Sequence, residues 1–313
     1  MHLRERLWSP YVIVFLSSGC VMVLELVASR LIAPRVGVSL HTWTSVIGVT
    51  LAGTSLGNYL GGRLADRHAT LGLLGGLFAA GSLSCLAVLW LNNDLHEFTF
   101  SGHVPLMAWV LLYVGGVFIT PTIVLGCISP IVIKRSLHSL SQSGSTVGRI
   151  YAASVAGSIV GTFATGFWLI RALGTKNTVL ALAVLLLSLA LWFLTEAPWR
   201  RAAVRAAICL GLFGGGIALL HGQGFLAREC LQETDYYCIN VNEIEIGKRP
   251  VRELLLDRLV HSYTDLQDPT HLVYDYERTY AGILQPLAER KPDLAVFFIG
   301  GGGYTFPRYL EAT

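Results

Sequence analysis

Charge is what this sequence has least of. Asp, Glu, Lys and Arg make up 14% of its 313 residues, where a soluble domain carries about 25%. With 53% hydrophobic residues and a mean hydropathy of +0.57, that shortage excludes an ordinary soluble globular chain. The charges nearly balance, at a formal net +3, and form no basic block, so nothing supports nucleic-acid binding. No C-x-x-C occurs among the six cysteines, which argues against a zinc ribbon and a thioredoxin-like motif. No metal site is expected. Cys20, Cys85, Cys127 and Cys209 lie in apolar runs, as small packing residues do. Cys230 and Cys238 are the only tail pair, and a disulfide between them is left open. The apolar run after Met1-His2-Leu3-Arg4-Glu5-Arg6 is too long for a signal h-region and has no A-x-A-like exit. It reads as a first membrane span.

Seven apolar runs are present, at about residues 11–32, 41–62, 71–91, 105–133, 147–170, 178–194 and 206–220. A span needs about 20 residues at 1.5 Å per residue. Pro121 and Pro130 interrupt the long fourth run, so a kink or break is expected there. The seventh is the least secure. Only 15 residues separate Arg205 from His221, and Gly211, Gly214, Gly215 and Gly216 fall among them.

Positive charge orients these runs. Arg4 and Arg6, then Arg63 and Arg67, then Lys134, Arg135 and Arg149, then Arg200, Arg201 and Arg205 fall at alternate ends. The other ends carry only Arg35, Arg171 and Lys176. The positive-inside rule therefore places the N-terminus in the cytoplasm. Seven crossings would put the tail outside. A tail that uses a cytosolic metabolite requires an even number, given by a seventh run that does not cross or a fourth that crosses twice. On that ground the tail is expected in the cytoplasm.

Small residues recur every four positions at Gly53, Gly57 and Gly61, at Ala153, Gly157, Gly161 and Thr165, and at Gly72 and Gly76. Such seams let helix backbones approach in lipid, as static packing or as a moving transporter interface. Glu25 lies deep in the first run, where a carboxylate is costly and marks either function or a structural hydrogen bond. Arg30 near the same helix end can snorkel or pair with another helix. Asn58 and Tyr59 read as cross-helix bonding groups, His41 and Trp43 as interfacial anchors.

After Gly222 the period changes. Tyr237, Ile239 and Val241 alternate with polar residues, as do Ile244 and Ile246; Gly247-Lys248-Arg249-Pro250 reads as a turn, and Leu254-Leu255-Leu256 as another strand. Leu272, Val273, Tyr276, Tyr280, Ile283, Leu284 and Leu287 recur at helical spacing. Ala295-Val296-Phe297-Phe298-Ile299 reads as a buried strand, followed by Gly300, Gly301, Gly302 and Gly303 and a helix start with Thr305 as N-cap and Pro307 in its first turn. Glycines between a strand and a helix N-terminus let the backbone approach a nucleotide-like ligand; they also serve a plain tight turn. The fold expected is an α-helical transmembrane bundle (residues 1–222), a small antiparallel β-unit (223–270) and the start of an incomplete Rossmann-like domain of the methyltransferase type (271–313).

Several stretches together resemble the bacterial membrane-fused relatives of the spermidine synthase (polyamine aminopropyltransferase) family. In the membrane part these are Glu25-Leu26-Val27-Ala28-Ser29-Arg30, Gly57-Asn58-Tyr59-Leu60-Gly61-Gly62-Arg63-Leu64-Ala65-Asp66-Arg67 and Pro121-Thr122-Ile123-Val124-Leu125-Gly126-Cys127-Ile128-Ser129-Pro130. In the tail they are Leu256-Asp257-Arg258-Leu259-Val260-His261 and Ile299-Gly300-Gly301-Gly302-Gly303-Tyr304-Thr305-Phe306-Pro307-Arg308. The resemblance implies an inner-membrane protein of a bacterium, with decarboxylated S-adenosylmethionine or S-adenosylmethionine as co-substrate and a diamine as acceptor. It implies cofactor contacts at Gly300, Gly301, Gly302, Gly303 and Tyr304, and substrate contacts at Asp257, His261 and Tyr274. The bilayer is the expected partner, and a homo-oligomer is left open. Where the family carries L-D-G-x-x-Q, Arg258 and His261 replace glycine and glutamine. Where it carries Y-H-E, Tyr274-Asp275-Tyr276 stands; where it carries G-G-G-D-G-G, Gly303 replaces the aspartate. The chain is expected to be C-terminally truncated and inactive in aminopropyl transfer. The alternatives are an S-adenosylmethionine-binding, methyltransferase-like protein, a transporter-like bundle resting on Glu25 and the Asp66 loop, and a module that pairs with another chain.

Overall fold

The computed structural model describes residues 9–95, 105–137, 142–194, 199–227, 230–234, 236–291 and 293–313. Arg4 and Arg6 lie outside these. The chain divides into two compact units, Met1–Ala227 and Arg228–Thr313. It is mostly helical, with one small antiparallel sheet in the second unit.

The first unit contains α1 (Pro10–Val36), α2 (Leu40–His68), α3 (Leu71–Asp94), α4 (Leu106–Gly126), α5 (Ile128–Ser136), α6 (Ser143–Ala164), α7 (Ile170–Leu173), α8 (Thr175–Leu194) and α9 (Trp199–Gly222). Among the described residues, six helical stretches are long and apolar enough to cross a membrane: Pro10–Val36, Leu71–Asp94, Leu106–Ser136, Ser143–Leu173, Thr175–Leu194 and Arg200–Gly222. This fits a multi-pass membrane protein. The run at 41–62 forms α2 but is less apolar than these, because Asn58 and several Gly, Ser and Thr residues dilute it. The break expected in the fourth run falls at Cys127. Pro130 has no N–H to offer the Gly126 carbonyl four residues back, and its ring crowds that carbonyl. Pro121 remains inside α4. A π-turn at Thr165–Leu169 joins α6 to α7.

Close packing fixes the direction of each helix. Gly157 and Gly161 of α6 sit against the backbone of Phe15 and Gly19 of α1, so these two helices run parallel. A side chain at Gly157 would overlap the Phe15 carbonyl, which explains the small residue there. In the same way Gly53 meets Thr122 and Gly61 meets Cys127, so α2 runs parallel to α4. Gly75 meets Phe193 and Gly81 meets Leu186, so α3 and α8 are antiparallel. Phe78 stacks on Phe193 at 5.5 Å, and the Ser82 hydroxyl donates to the Ala183 carbonyl at 2.7 Å. Gly72 faces Arg205 and Gly216 faces Leu86, so α9 runs parallel to α3. The order is strict up-and-down alternation, with α2 taking its turn like the others.

The second unit is built on a four-stranded meander in the order β1 (Gln232–Glu233), β2 (Cys238–Ile246), β3 (Arg249–Leu256) and β4 (Leu259–Asp265), every pair antiparallel. Gly247 and Lys248 both adopt positive φ, the two-residue turn that matches strand twist. The turn is therefore tighter than the sequence pattern implies, and Arg249 and Pro250 already belong to β3. Cys230 and Cys238 are joined by a disulfide. His261 is the extra residue of a β-bulge, since Ser262 pairs with Leu254 and Val260 with Leu255. Helix α10 (Asp275–Arg290) and α11 (Thr305–Ala312) follow.

Two local expectations are corrected. Residues 294–299 form no strand: no described strand lies beside them, and Phe297 and Ile299 are 88% and 94% exposed. Thr305 is the first helical residue rather than the N-cap. Tyr304 takes the cap position with a left-handed backbone, while the Thr305 hydroxyl is turned to Thr264 at 2.5 Å and to the Tyr263 carbonyl at 3.3 Å. The bond to β4 outcompetes the helix cap. Helix α10 packs through Glu277, Ala281 and Leu284, whereas Tyr280, Ile283 and Leu287 stay exposed.

Candidate functional site

The bulge at His261 re-aims β4 so that Ser262 faces the glycine turn. Gly303 has a φ of 72°, and a Cβ there would overlap the Ser262 hydroxyl. Gly302 has a φ of 46° and lies under the Tyr276 hydroxyl, which would be 3.3 Å from an added Cβ. A Cβ added at Gly301 would lie 3.0 Å from the Tyr304 ring, while one at Gly300 would meet nothing. Three of the four glycines thus use their lack of a side chain to pack against this chain itself.

Tyr276 connects the turn to a carboxylate. Its hydroxyl is 3.4 Å from Oε1 of Glu277, the third residue of α10, whose carboxylate also faces the Tyr274 backbone N–H. Glu277 is only 1% exposed, and its Oε2 has no hydrogen-bond partner among the described residues. Burial pushes its pKa up, against the smaller opposing effect of those two donors. Burial, with smaller contributions from Glu277 and the neighbouring tyrosines, also raises the Tyr276 phenol. Aromatic rings form a continuous row through Tyr276. Tyr263 meets Tyr274 at 5.0 Å, Tyr274 meets Tyr276 at 5.2 Å, Tyr276 meets Tyr280 at 5.6 Å and Tyr280 meets Phe306 at 5.8 Å.

The residues expected from sequence divide. Tyr274, Gly302 and Gly303 come together here, with Tyr274 donating to the Val260 carbonyl at 2.9 Å. His261 contributes its backbone beside Gly302 and leaves its side chain exposed. Asp257 is occupied elsewhere: it sits at positive φ in the β3–β4 turn and its Oδ1 accepts from the Cys238 backbone N–H at 2.9 Å. Glu25 belongs to the other unit, on α1, half-buried and without a hydrogen bond or ion pair among the described residues. Glu277 escaped sequence reasoning. Its signal was an acid three residues after the helix cap, on the 277–281–284 stripe where an apolar residue belongs.

Asp265 is the second buried acid of this unit, 3% exposed, and it is saturated. Its Oδ1 accepts from the Gln267 and Asp268 backbone N–H groups at 2.9 and 3.1 Å, and its Oδ2 from His271 Nδ1 at 3.0 Å. Burial pushes its pKa up, but the two backbone donors and His271 outweigh burial and hold it below the usual carboxylate range. A lowered pKa stabilises the fold above the unfolded value, near 4, and that stability is lost as pH falls through the lower folded value. Asp265→Asn is expected to cost about 1–2 kcal/mol at neutral pH and to flatten the stability loss below about pH 4. Amide exchange across β4 as a function of pH measures both.

No protein-family model, curated protein or solved structure matches the chain. The described residues hold no cluster of His, Cys, Asp and Glu suited to a metal.

Proposed function

We propose that the chain is a membrane-anchored, spermidine synthase-like protein whose tail binds an amine-bearing organic cation. The observation that carries this reading is Glu277: a buried carboxylate with one oxygen bonded by the Tyr276 hydroxyl, the other free, and tyrosine rings beside it. An isolated buried carboxylate is costly. An ammonium group relieves that cost by donating to Oε2, and ring faces add a cation–π contribution of about 0.5–2 kcal/mol. The diamine expected from the family resemblance has this chemistry. A Rossmann-like reading of residues 271–313 rests on the order helix, glycine turn, helix.

An adenosyl co-substrate fits less well. Tyr304, Tyr276 and Ser262 already cover three of the four glycines it would approach, and Gly303 leaves no room for the aspartate of the family loop. Aminopropyl transfer is therefore supported only by the resemblance. Calorimetric titration of putrescine and spermidine into the detergent-solubilised full chain tests the amine reading: saturable binding supports it, and no binding by either removes it.

The unpartnered Glu25 favours a second reading, transport through the bundle. In that case Glu25→Gln is expected to abolish spermidine uptake by vesicles carrying the full chain. No uptake by the unmodified chain would dispose of this reading.

A further inference from the structure

We infer that the tail is an exoplasmic head, so that its amine site takes a free polyamine-class cation from the oxidising side of the membrane. The ligand half rests on the amine reading above; the sidedness rests on the bundle and the disulfide alone.

The bundle has two chemically distinct ends. At one, Lys134 pairs with Asp66 at 3.1 Å, Arg135 donates to the Ala69 carbonyl at 2.8 Å, and Arg205 lies beside Gly72. This end also collects Arg63, Arg67, Arg200 and Arg201, and it is the end from which α1 starts. At the other end Arg35 donates to Asn93 at 2.7 Å, joining the last turns of α1 and α3. Here too Lys176, at the start of α8, donates to the Phe225 and Ala227 carbonyls, both at 2.9 Å. Lys176 thus marks where the chain leaves the bundle: opposite the start of α1 and away from most of the arginines. The alternation of helix direction through α9 requires the same exit. Because cytoplasmic ends carry the excess of Lys and Arg, the exit is exoplasmic, and the tail that follows is delivered to that side.

Cys230 and Cys238 supply an independent argument. They are paired at the entry to β2, a few residues after the exit, whereas Cys20, Cys85, Cys127 and Cys209 are unpaired. Disulfides persist in oxidising compartments and are rare in a reducing cytosol. Helix direction, charge asymmetry and cysteine pairing agree. They depart from the cytoplasmic tail expected for a cytosolic co-substrate, and they restrict the ligand to a cation available outside.

The test uses the full chain in right-side-out and inside-out vesicles, with thiols trapped by N-ethylmaleimide in the growing cells. Trypsin is expected to release tail peptides, identified by mass, from right-side-out vesicles and not from sealed inside-out ones. Cys230 and Cys238 are expected to react with a maleimide polymer only after reduction. Labelled spermidine added outside is expected to bind right-side-out vesicles, with affinity at least about tenfold weaker for Glu277→Gln. The disulfide pattern of that variant confirms that its tail is folded. Release from inside-out vesicles alone, with both thiols free, would overturn the sidedness. Release from right-side-out vesicles without spermidine binding would overturn the ligand half and leave the sidedness standing.

Discussion

Glu277→Gln is expected to weaken amine binding at least about tenfold and, at the same time, to stabilise the tail at neutral pH. Binding falls because a carboxylate–ammonium bond to a buried oxygen contributes about 1.5–3 kcal/mol, and glutamine offers a neutral acceptor instead. Stability rises for a separate reason. Burial raises the Glu277 pKa, so the unfolded chain gives up this proton at a lower pH than the folded one. Stability is therefore full below the unfolded value and falls as pH rises through the folded one. At pH 7 the empty site carries that penalty. Glutamine does not ionise and keeps an acceptor for the Tyr276 hydroxyl. The gain expected is on the order of 1 kcal/mol, read as slower amide exchange across β2 and β3 at pH 7, with the difference vanishing near pH 4. A variant that binds amine as tightly as the unmodified chain, or that exchanges faster at pH 7, would contradict this account of the carboxylate.

Gly303→Asp is expected to disrupt the tail rather than restore the family's loop. Gly303 sits at a φ of 72°, and an added Cβ overlaps the hydroxyl of Ser262, itself 1% exposed. The left-handed backbone costs an L-residue about 1–2 kcal/mol, and overpacking a closed site adds about 1–3 kcal/mol. The substitution should raise the exchange rate of β4 amides and of α11, whose Thr305 is tied to Thr264. Gly303→Ala should cost slightly less, because the strain arises at Cβ. If Gly303→Asp is as stable as the unmodified chain and acquires aminopropyl transfer, the turn is an open cradle and the packing account fails.

The bundle was legible because the bilayer imposes one rule: apolar runs of about 20 residues. The Gly157 and Gly161 seam was legible by its spacing, although its partner, the backbone of Phe15 and Gly19, was not. Helix direction required those contacts; charge counting alone left open whether the seventh run crosses and whether the long fourth run crosses twice. Period-2 alternation marked β2 and β3 of an antiparallel unit, but β1 and β4 carried no such mark, and the bulge at His261 depends on the register of β3 and leaves no trace in that pattern. Residues 294–299 misled because five consecutive apolar residues describe a buried strand only when a neighbouring strand exists. Glu277 was hidden for the opposite reason. An acid near a helix start is ordinary, and only its depth beneath Tyr276 makes it a site.

The account stands most directly on the charge of one buried oxygen, and titration calorimetry of spermidine into the full chain reads it at several pH values. The expected result is saturable binding that tightens as pH rises through the ionisation of Glu277, releases a proton on the acid side, and is at least about tenfold weaker in Glu277→Gln. Binding that is independent of pH and unchanged in Glu277→Gln would contradict it.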